Sequence, residues 1–341
     1  MPYYFNLPII TQLTPNQQAA LNETDSLALS GGPGTGKSVV CLWRHIRNYE
    51  TGIRESLLLT YTKTLEHYLI QSALSKNEEA AENVNRSLWW SSHTNLHREY
   101  DEIIIDEGQD VNIDIYRTIK RFSSKISYGA DPDQSLYLNK EQLTGLTDWL
   151  EETFENEEYT LTKNFRNSKE ILDFIRSVFP DILIPQDTIN GSLTTGLKPI
   201  VKITGWNRDD ELDAIMSIIN DFQGDTENIA ILVPTQKQVK EYYALIREKL
   251  DNDIDCTKFN SDLDEFEGLS GIHITTFKSS KGTEFDTVII PSFDSYDWYI
   301  DKLDVVNEED YYVALTRTKT NLFLICKTKP NKGNKNTYDI E

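Results

Sequence analysis

The sequence predicts an α/β protein built on mainly parallel sheets, and two observations carry that prediction. Apolar β-like runs alternate with helix-period segments almost from end to end of the 341 residues, the pattern expected of helices layered on a parallel sheet. In addition, the apolar stretch Ser26 to Ser30 (SLALS) passes through the glycine turn Gly31 to Ser38 (GGPGTGKS) into a helix-like run from Val39 to His45. Strand, glycine turn and helix start follow one another as such a fold requires.

In chain order, the further expected strands are Ser56 to Thr60, Glu102 to Asp106, Lys125 to Ala130, Ile229 to Val233, Gly271 to Thr275, Thr287 to Pro291 and Leu322 to Cys326. Helix candidates between them include Asp209 to Phe222 and Gln236 to Leu250. The length suffices for two domains, each with its own core. The acidic stretch Glu151 to Glu158 (EETFENEE) is the best place to divide them, giving domains 1–157 and 158–326. The tail, Lys327 to Glu341, is rich in Lys, Asn and Gly and is predicted to be disordered.

Composition narrows the class. Hydrophobic content of 38%, aromatics at 11% and six Trp argue for a folded protein. No apolar run reaches the ~18 residues of a membrane helix. The N-terminal MPYYFNLPII lacks the basic region and small-residue cleavage site of a secretory signal, so no membrane contact and a cytoplasmic location are expected. The three cysteines, Cys41, Cys256 and Cys326, form no CxxC pair, which argues against a zinc or iron–sulfur site. The net charge of −21 opposes long-range attraction to a phosphate backbone. A local basic strip can still act, because charges are screened over about 8 Å at physiological salt. The candidate strips are Arg117 to Lys125 and Lys278 to Lys281.

Two segments carry chemistry. Gly31 to Ser38 matches GxxxxGK[ST]: Gly31, Gly34 and Gly36 allow positive φ, so consecutive N–H groups, with Thr35 among them, can turn inward on a β-phosphate. Lys37 supplies a charge for the β- and γ-phosphates and Ser38 a hydroxyl ligand for Mg²⁺. Tyr100 to Val111 (YDEIIIDEGQDV) reads as a buried strand ending in two carboxylates. Asp106 can hold Mg²⁺, normally through water, and Glu107 can take a proton from an attacking water.

Together with further segments in order, these motifs resemble the superfamily 1 helicases of the UvrD, Rep and PcrA type. Leu13 to Leu21 (LTPNQQAAL) is similar to the family's glutamine motif, and Asp106 to Asp110 (DEGQD) to its usual DEAQD. Asp131 to Tyr137 (DPDQSLY), Leu161 to Ser168 (LTKNFRNS), Thr276 to Asp286 (TFKSSKGTEFD) and Val313 to Lys319 (VALTRTK) resemble later motifs. The resemblance implies two tandem RecA-like domains with an ATP cleft between them, ATP and Mg²⁺ as cofactors, and single-stranded nucleic acid, taken as DNA, as partner. It implies that Gln17 reads adenine, Gln134 senses the γ-phosphate, Phe165 stacks on adenine and Arg166 reaches the γ-phosphate. Gly282 would lie near the phosphates, Glu284 near the ribose, and Arg317 would be a second arginine finger. Tyr61, His93 and Lys278 fall where nucleic-acid contacts are expected.

The departures are as informative as the matches. Family members carry an accessory domain within each motor domain, but only Thr94 to Ile105 and Asp251 to Ser270 are available for them, so a minimal two-domain motor is expected. Tyr137 is followed by Leu138, Asn139, Lys140 and Glu141 instead of a base-stacking aromatic segment, and Lys278 stands for a usual His. Glu308, Glu309 and Asp310 stand where arginines are common. The resemblance implies an ATPase translocase of 3′ to 5′ direction, and the missing accessory segments make unwinding by the chain itself doubtful. The alternative is a nucleotide-gated subunit whose acidic surface meets a basic partner, such as a nuclease in a repair or anti-phage complex. A phosphate-loop kinase or GTPase would not need Gln17, Arg166 and Arg317 in these contexts.

Overall fold

The structure is a computed structural model and describes residues 7–224, 227–259 and 271–341. It divides into two compact units between Asn164 and Phe165.

The first unit contains β1 (Leu27–Ser30), β2 (Ser56–Thr60), β3 (Val84–Arg86), β4 (Glu102–Asp106), β5 (Ile126–Gly129) and β6 (Glu157–Thr160). They form one sheet in the order β3-β2-β4-β5-β1-β6, every pairing parallel. Its helices are α1 (Pro15–Asn22), α2 (Lys37–Thr51), α3 (Lys63–Leu74), α4 (Glu78–Glu82), α5 (Ser87–Ser92), α6 (Ile113–Ile119) and α7 (Lys140–Thr153). β2 and β4 are buried at every position, which is why both read as unbroken apolar runs. Alternation still sorts their side chains. Leu58 and Ile104 join Val40 and Ile46 on one face, while Leu57, Leu59, Ile103 and Ile105 join Tyr116 and Leu146 on the other, as the two-residue period of a strand dictates.

The second unit contains β7 (Ile200–Ile203), β8 (Ile229–Val233), β9 (Cys256–Phe259), β10 (Ile272–Thr276), β11 (Phe285–Ile290), β12 (Thr318–Cys326) and β13 (Asp339–Ile340). The order is β13-β7-β12-β11-β8-β10-β9, again all parallel. Helices α8 (Lys169–Val178), α9 (Gln186–Asn190), α10 (Arg208–Phe222), α11 (Gln236–Lys249) and α12 (Glu308–Thr316) complete it. Ile215, Ile219, Val239 and Ile246 pack with Ile231, Ile274 and Ile289 in its core. In each sheet the parallel strands end along one edge, and site-bearing loops of α/β proteins leave from that edge.

Three expectations change. The acidic stretch 151–158, where the division was expected, lies inside the first unit: α7 runs to Thr153, and Glu157 to Thr160 pair in register with Leu27 to Ser30. β6 is an edge strand whose side chains stay largely exposed, so glutamates cost little there. The tail is also ordered. Asp339 N–H donates to Pro199 O at 2.9 Å and Ile203 N–H to Glu341 O at 2.8 Å, while Tyr338 is buried with its ring edge-on to Phe174. Its composition concealed a strand that completes the open edge of β7. Finally, within the stretch 251–270 that the sequence leaves for an inserted domain, Cys256 to Phe259 form β9, and residues 260–270 lie outside those described.

Candidate nucleotide site

The phosphate loop joins β1 to α2. Gly31, Gly34 and Gly36 have φ of 143°, 68° and 88°, which L side chains rarely adopt. Space is equally restrictive, since a β-carbon on Gly31 would lie 2.3 Å from Leu161 O and one on Gly36 would lie 2.4 Å from Gln17 Nε2. Lys37 Nζ donates to Gly31 O at 2.6 Å and Gly32 O at 3.0 Å, so the ammonium already lies inside the loop. Gln17 is buried against the same loop. Its Nε2 donates to Thr35 O at 3.0 Å and its Oε1 accepts from Thr14 N–H at 2.8 Å, closing the capping box of α1. Both ends of the carboxamide are thus engaged with main chain. Asn164 Nδ2 donates to Pro33 O at 2.7 Å, a contact to the loop that the sequence reading missed.

β4 and β5 pair so that Asp106 lies opposite Gly129. Asp106 is buried, and burial first and the neighbouring Glu107 carboxylate second push its pKa up to about 7, against a Ser38 hydrogen bond and the Lys37 charge. Asp106 Oδ2 has no hydrogen-bond partner. A buried oxygen left unsatisfied is costly, and here it lies on a carboxylate already bonded to the Ser38 hydroxyl. Two hard oxygen donors and an unsatisfied lone pair fit Mg²⁺.

Glu107 has φ 58° and ψ 44°, a left-handed conformation uncommon for a residue with a β-carbon. That turn takes it off the strand axis as the cap of the short helix Gly108–Asp110. Gln109 Nε2 donates to Glu107 Oε2 at 2.5 Å, while Gln109 Oε1 accepts from Asp131 N–H at 3.0 Å. Asp131 in turn lies 3.7 Å from Lys37 Nζ and accepts a hydrogen bond from Gln134 Nε2. Lys37, Glu107 and Gln134 are therefore brought together through Asp131 and Gln109, two intermediaries that the sequence reading did not assign. Both stood inside quoted motifs, and their linking role appears only when the strand ends are adjacent.

In the second unit Arg166 Nε donates to Glu284 Oε2 at 3.0 Å. Lys319 Nζ reaches the other oxygen at 3.4 Å. Burial alone would raise the Glu284 pKa, yet Arg166 and Lys319 together hold it below the ordinary carboxylate value. Arg317 is 1% exposed. It donates from Nε to Val313 O at 2.9 Å, from Nη1 to Thr283 O at 3.3 Å and from Nη2 to Thr316 Oγ1 at 3.0 Å, which places an arginine expected at a phosphate inside the unit. Gly282 has φ 85°. Phe165 is 53% exposed.

The expected nucleic-acid residues have distinct surroundings. Tyr61 and Tyr137 rings lie 4.4 Å apart, tilted by 36°. His93 stacks on Trp89 at 4.3 Å and 29°. Lys278 lies 3.6 Å from buried Asp310, whose pKa burial pushes up to about 6 despite that lysine. Arg117 pairs with Asp114 and Lys125 with Asp25, while Lys281 is fully buried. Among the described residues no helix is long and apolar enough to cross a membrane.

Residues 238–329 match the UvrD-like helicase C-terminal domain family. A protein of Acanthamoeba polyphaga mimivirus named for ATP-dependent DNA helicase activity is 28% identical over 256 residues, 68% of this chain and 35% of that protein. One of the subunits of the ATP-dependent helicase/nuclease of Desulforamulus reducens is 29% identical over 132 residues, 35% of this chain and 10% of that one. The chain therefore spans 35% and 10% of the lengths of these relatives. S. cerevisiae Dbp5, solved bound to RNA and ADP BeF3, has a TM-score of 0.58 at 13% identity, covering 93% of this chain and 84% of that one. That likeness concerns the fold, two RecA-like units with parallel sheets. The chain is thus a homologue of ATP-dependent DNA helicases, with a UvrD-like helicase C-terminal domain in its second unit.

Proposed function

We propose that this chain is a Mg²⁺-dependent ATPase motor that moves on single-stranded nucleic acid, taken as DNA, in the 3′ to 5′ direction. The observation that carries it is the cluster at the glycine loop, with Lys37 inside the loop, Ser38 bonded to Asp106, and Glu107 linked to Lys37 through Gln109 and Asp131. Ser38 and Asp106 would hold Mg²⁺, which when bound supplies charge neutralisation at the β- and γ-phosphates. Lys37 exchanges the carbonyls of Gly31 and Gly32 for phosphate oxygens. Glu107, held by Gln109, accepts the proton of the attacking water. Gln134 and Arg166 sense the γ-phosphate, Arg317 acts as a second finger, Gln17 and Phe165 bind adenine, and Glu284 binds ribose. Tyr61 and Tyr137 offer a stacking pair for bases. The absence of room for inserted accessory domains within 94–105 and 251–270 makes unwinding by the chain alone weak.

The test is ATPase rate with and without single-stranded DNA or RNA at low salt, in wild type and Glu107→Gln. Stimulated hydrolysis abolished by the substitution is expected. Hydrolysis by Glu107→Gln at the wild-type rate would sink the general-base assignment. The net charge of −21 and the acidic first turn of α12, Glu308 to Asp310, favour a second reading: a nucleotide-gated component of a nuclease-containing repair or anti-phage complex, with a basic protein partner. ATPase activity indifferent to any nucleic acid would select it.

A further inference from the structure

We infer that Trp89, stacked on His93, is a base-stacking platform for single-stranded DNA that extends the Tyr61–Tyr137 pair along the edge of the first sheet. The inference rests on the proposed nucleic-acid motor and adds to it a contact that no motif assigned.

Position comes first. β2 and β3 are parallel neighbours with Thr60 opposite Arg86. Tyr61 is the residue after the end of β2, and α5 starts at Ser87, the residue after the end of β3. Neighbouring strands lie about 4.8 Å apart, so Tyr61 and the first turn of α5 leave adjacent strand ends on the same edge. Tyr137 reaches Tyr61 from the segment that follows β5. The edge therefore presents two aromatic pairs in succession, Trp89–His93 and Tyr61–Tyr137.

The Trp89 pair is built to stay in place. His93 Nδ1 lies 2.7 Å from Trp89 O and 3.1 Å from Ser92 Oγ, which fixes the imidazole against the indole one helical turn away. Trp89 nevertheless remains 37% exposed, beside Leu88 at 56%. The next residue shows the contrast, because Trp90 is fully buried and packs edge-on to Phe122 at 5.5 Å. One tryptophan of the pair is core and the other faces solvent with its ring orientation held by a histidine.

Chemistry then selects the occupant. Stacking on aromatic rings contributes on the order of 1–3 kcal/mol per base and tolerates any sequence. A chain of net charge −21 gains less from counterion release than a basic one, so ring contacts carry a larger share of affinity. Single-stranded DNA, with a free π-face on every base, matches the exposed rings of Trp89 and Tyr137 beside the half-buried Tyr61 and His93. The segment after Tyr137 lacks the aromatic platform expected of its relatives, and the β3 edge supplies one on the other side of Tyr61.

The experiment measures binding of the full chain to a fluorescent oligo(dT) at low salt, with oligo(U) alongside, for wild type, Trp89→Ala, Trp89→Tyr and Tyr61→Ala. The expected result is a roughly ten-fold or greater rise in Kd for Trp89→Ala, with Trp89→Tyr close to wild type. Equal Kd for wild type and Trp89→Ala, while Tyr61→Ala weakens binding, overturns the inference and leaves the motor reading standing. Equal loss in Trp89→Ala and Trp89→Tyr also overturns it, because an aromatic replacement must preserve stacking. Absence of wild-type binding to either oligonucleotide defeats both the inference and the motor reading. Preference for oligo(U) over oligo(dT) assigns the platform to RNA and overturns the choice of DNA.

Discussion

The Tyr116 hydroxyl donates to the main-chain oxygen of Gly108 at 3.1 Å and stands 2.6 Å from where a β-carbon on residue 108 would lie. Tyr116 is fully buried in α6, so it cannot swing aside. The glycine in DEGQD, where the resembled family has alanine, is thereby explained as half of a matched pair: the tyrosine oxygen fills the space a methyl group would need. The adjacent residue is Glu107 in its left-handed conformation, so this packing bears directly on the carboxylate proposed as base.

Gly108→Ala is expected to destabilise the protein by about 1–3 kcal/mol through overpacking and to lower ATPase activity by displacing Glu107. Adding Tyr116→Phe removes the clashing oxygen and should recover part of both losses, although Tyr116→Phe alone is mildly destabilising because the Gly108 carbonyl loses its donor. Urea unfolding of the four proteins closes the double-mutant cycle. Purely additive effects would mean that the two residues are not coupled.

That pair also shows where sequence reasoning stops. The departure DEGQD was visible, and so was the strand before it, since Glu102 to Asp106 form β4 at the expected bounds. Tyr116 could not be connected to Gly108 without knowing how α6 folds back on the sheet. Buried strands such as β2 and β8 were legible because both faces are covered and the apolar run is continuous. β6 and β13 were not, because edge strands are specified by main-chain pairing while their side chains can be acidic or polar. At the candidate site, the placement of Lys37 within the glycine loop and of Asp106 at the end of β4 was legible from spacing. The engagement of Gln17 with Thr35 O and the burial of Arg317 were not, because a motif records residue type and leaves out which partner the side chain holds.

Asp106 links the site to pH. Its pKa is raised in the fold from 3.8 to about 7 by burial and by Glu107. A carboxyl whose folded pKa exceeds its unfolded value favours the fold fully below the unfolded pKa, and that contribution is lost as pH rises through the folded one. Without Mg²⁺ the protein should therefore lose stability as pH rises from about 4 through about 7. Asp106→Asn should flatten that window and raise the melting temperature at pH 8. Mg²⁺ should raise the melting temperature of wild type at pH 8 and leave Asp106→Asn unmoved. An equal Mg²⁺ response in both would place the ion elsewhere.

Gln17 separates two roles that its position combines. The carboxamide clamps Thr35 O and caps α1, while the proposed function has it read adenine. Gln17→Ala should lower stability by about 1 kcal/mol through the lost cap. If Gln17 also reads the base, the ratio of kcat/KM for ATP over GTP should fall roughly ten-fold, the cost of about one such hydrogen-bonded contact. A lowered melting temperature with an unchanged ATP to GTP ratio would confine Gln17 to the clamp.

Arg166 and Arg317 are both proposed to meet the γ-phosphate, yet their surroundings predict different losses. Arg166 pairs with the partly exposed Glu284, and if it is removed Glu284 keeps Lys319 at 3.4 Å, so Arg166→Ala should cost less melting temperature than Arg317→Ala. Its effect should fall on kcat, lowered ~10³-fold or more if the guanidinium reaches the transferring phosphoryl group. Arg317 donates to Val313 O, Thr283 O and Thr316 Oγ1 from a buried position. Arg317→Ala leaves those acceptors unsatisfied and should cost about 2–4 kcal/mol of stability in addition to activity. Arg317→Lys keeps the charge but lacks the guanidinium's spread of donors, so it should recover little of that stability. Thermal unfolding and steady-state ATPase on the same preparations make the distinction. A stable, inactive Arg317→Ala protein would show that its buried contacts contribute little and that its work is done at the phosphate.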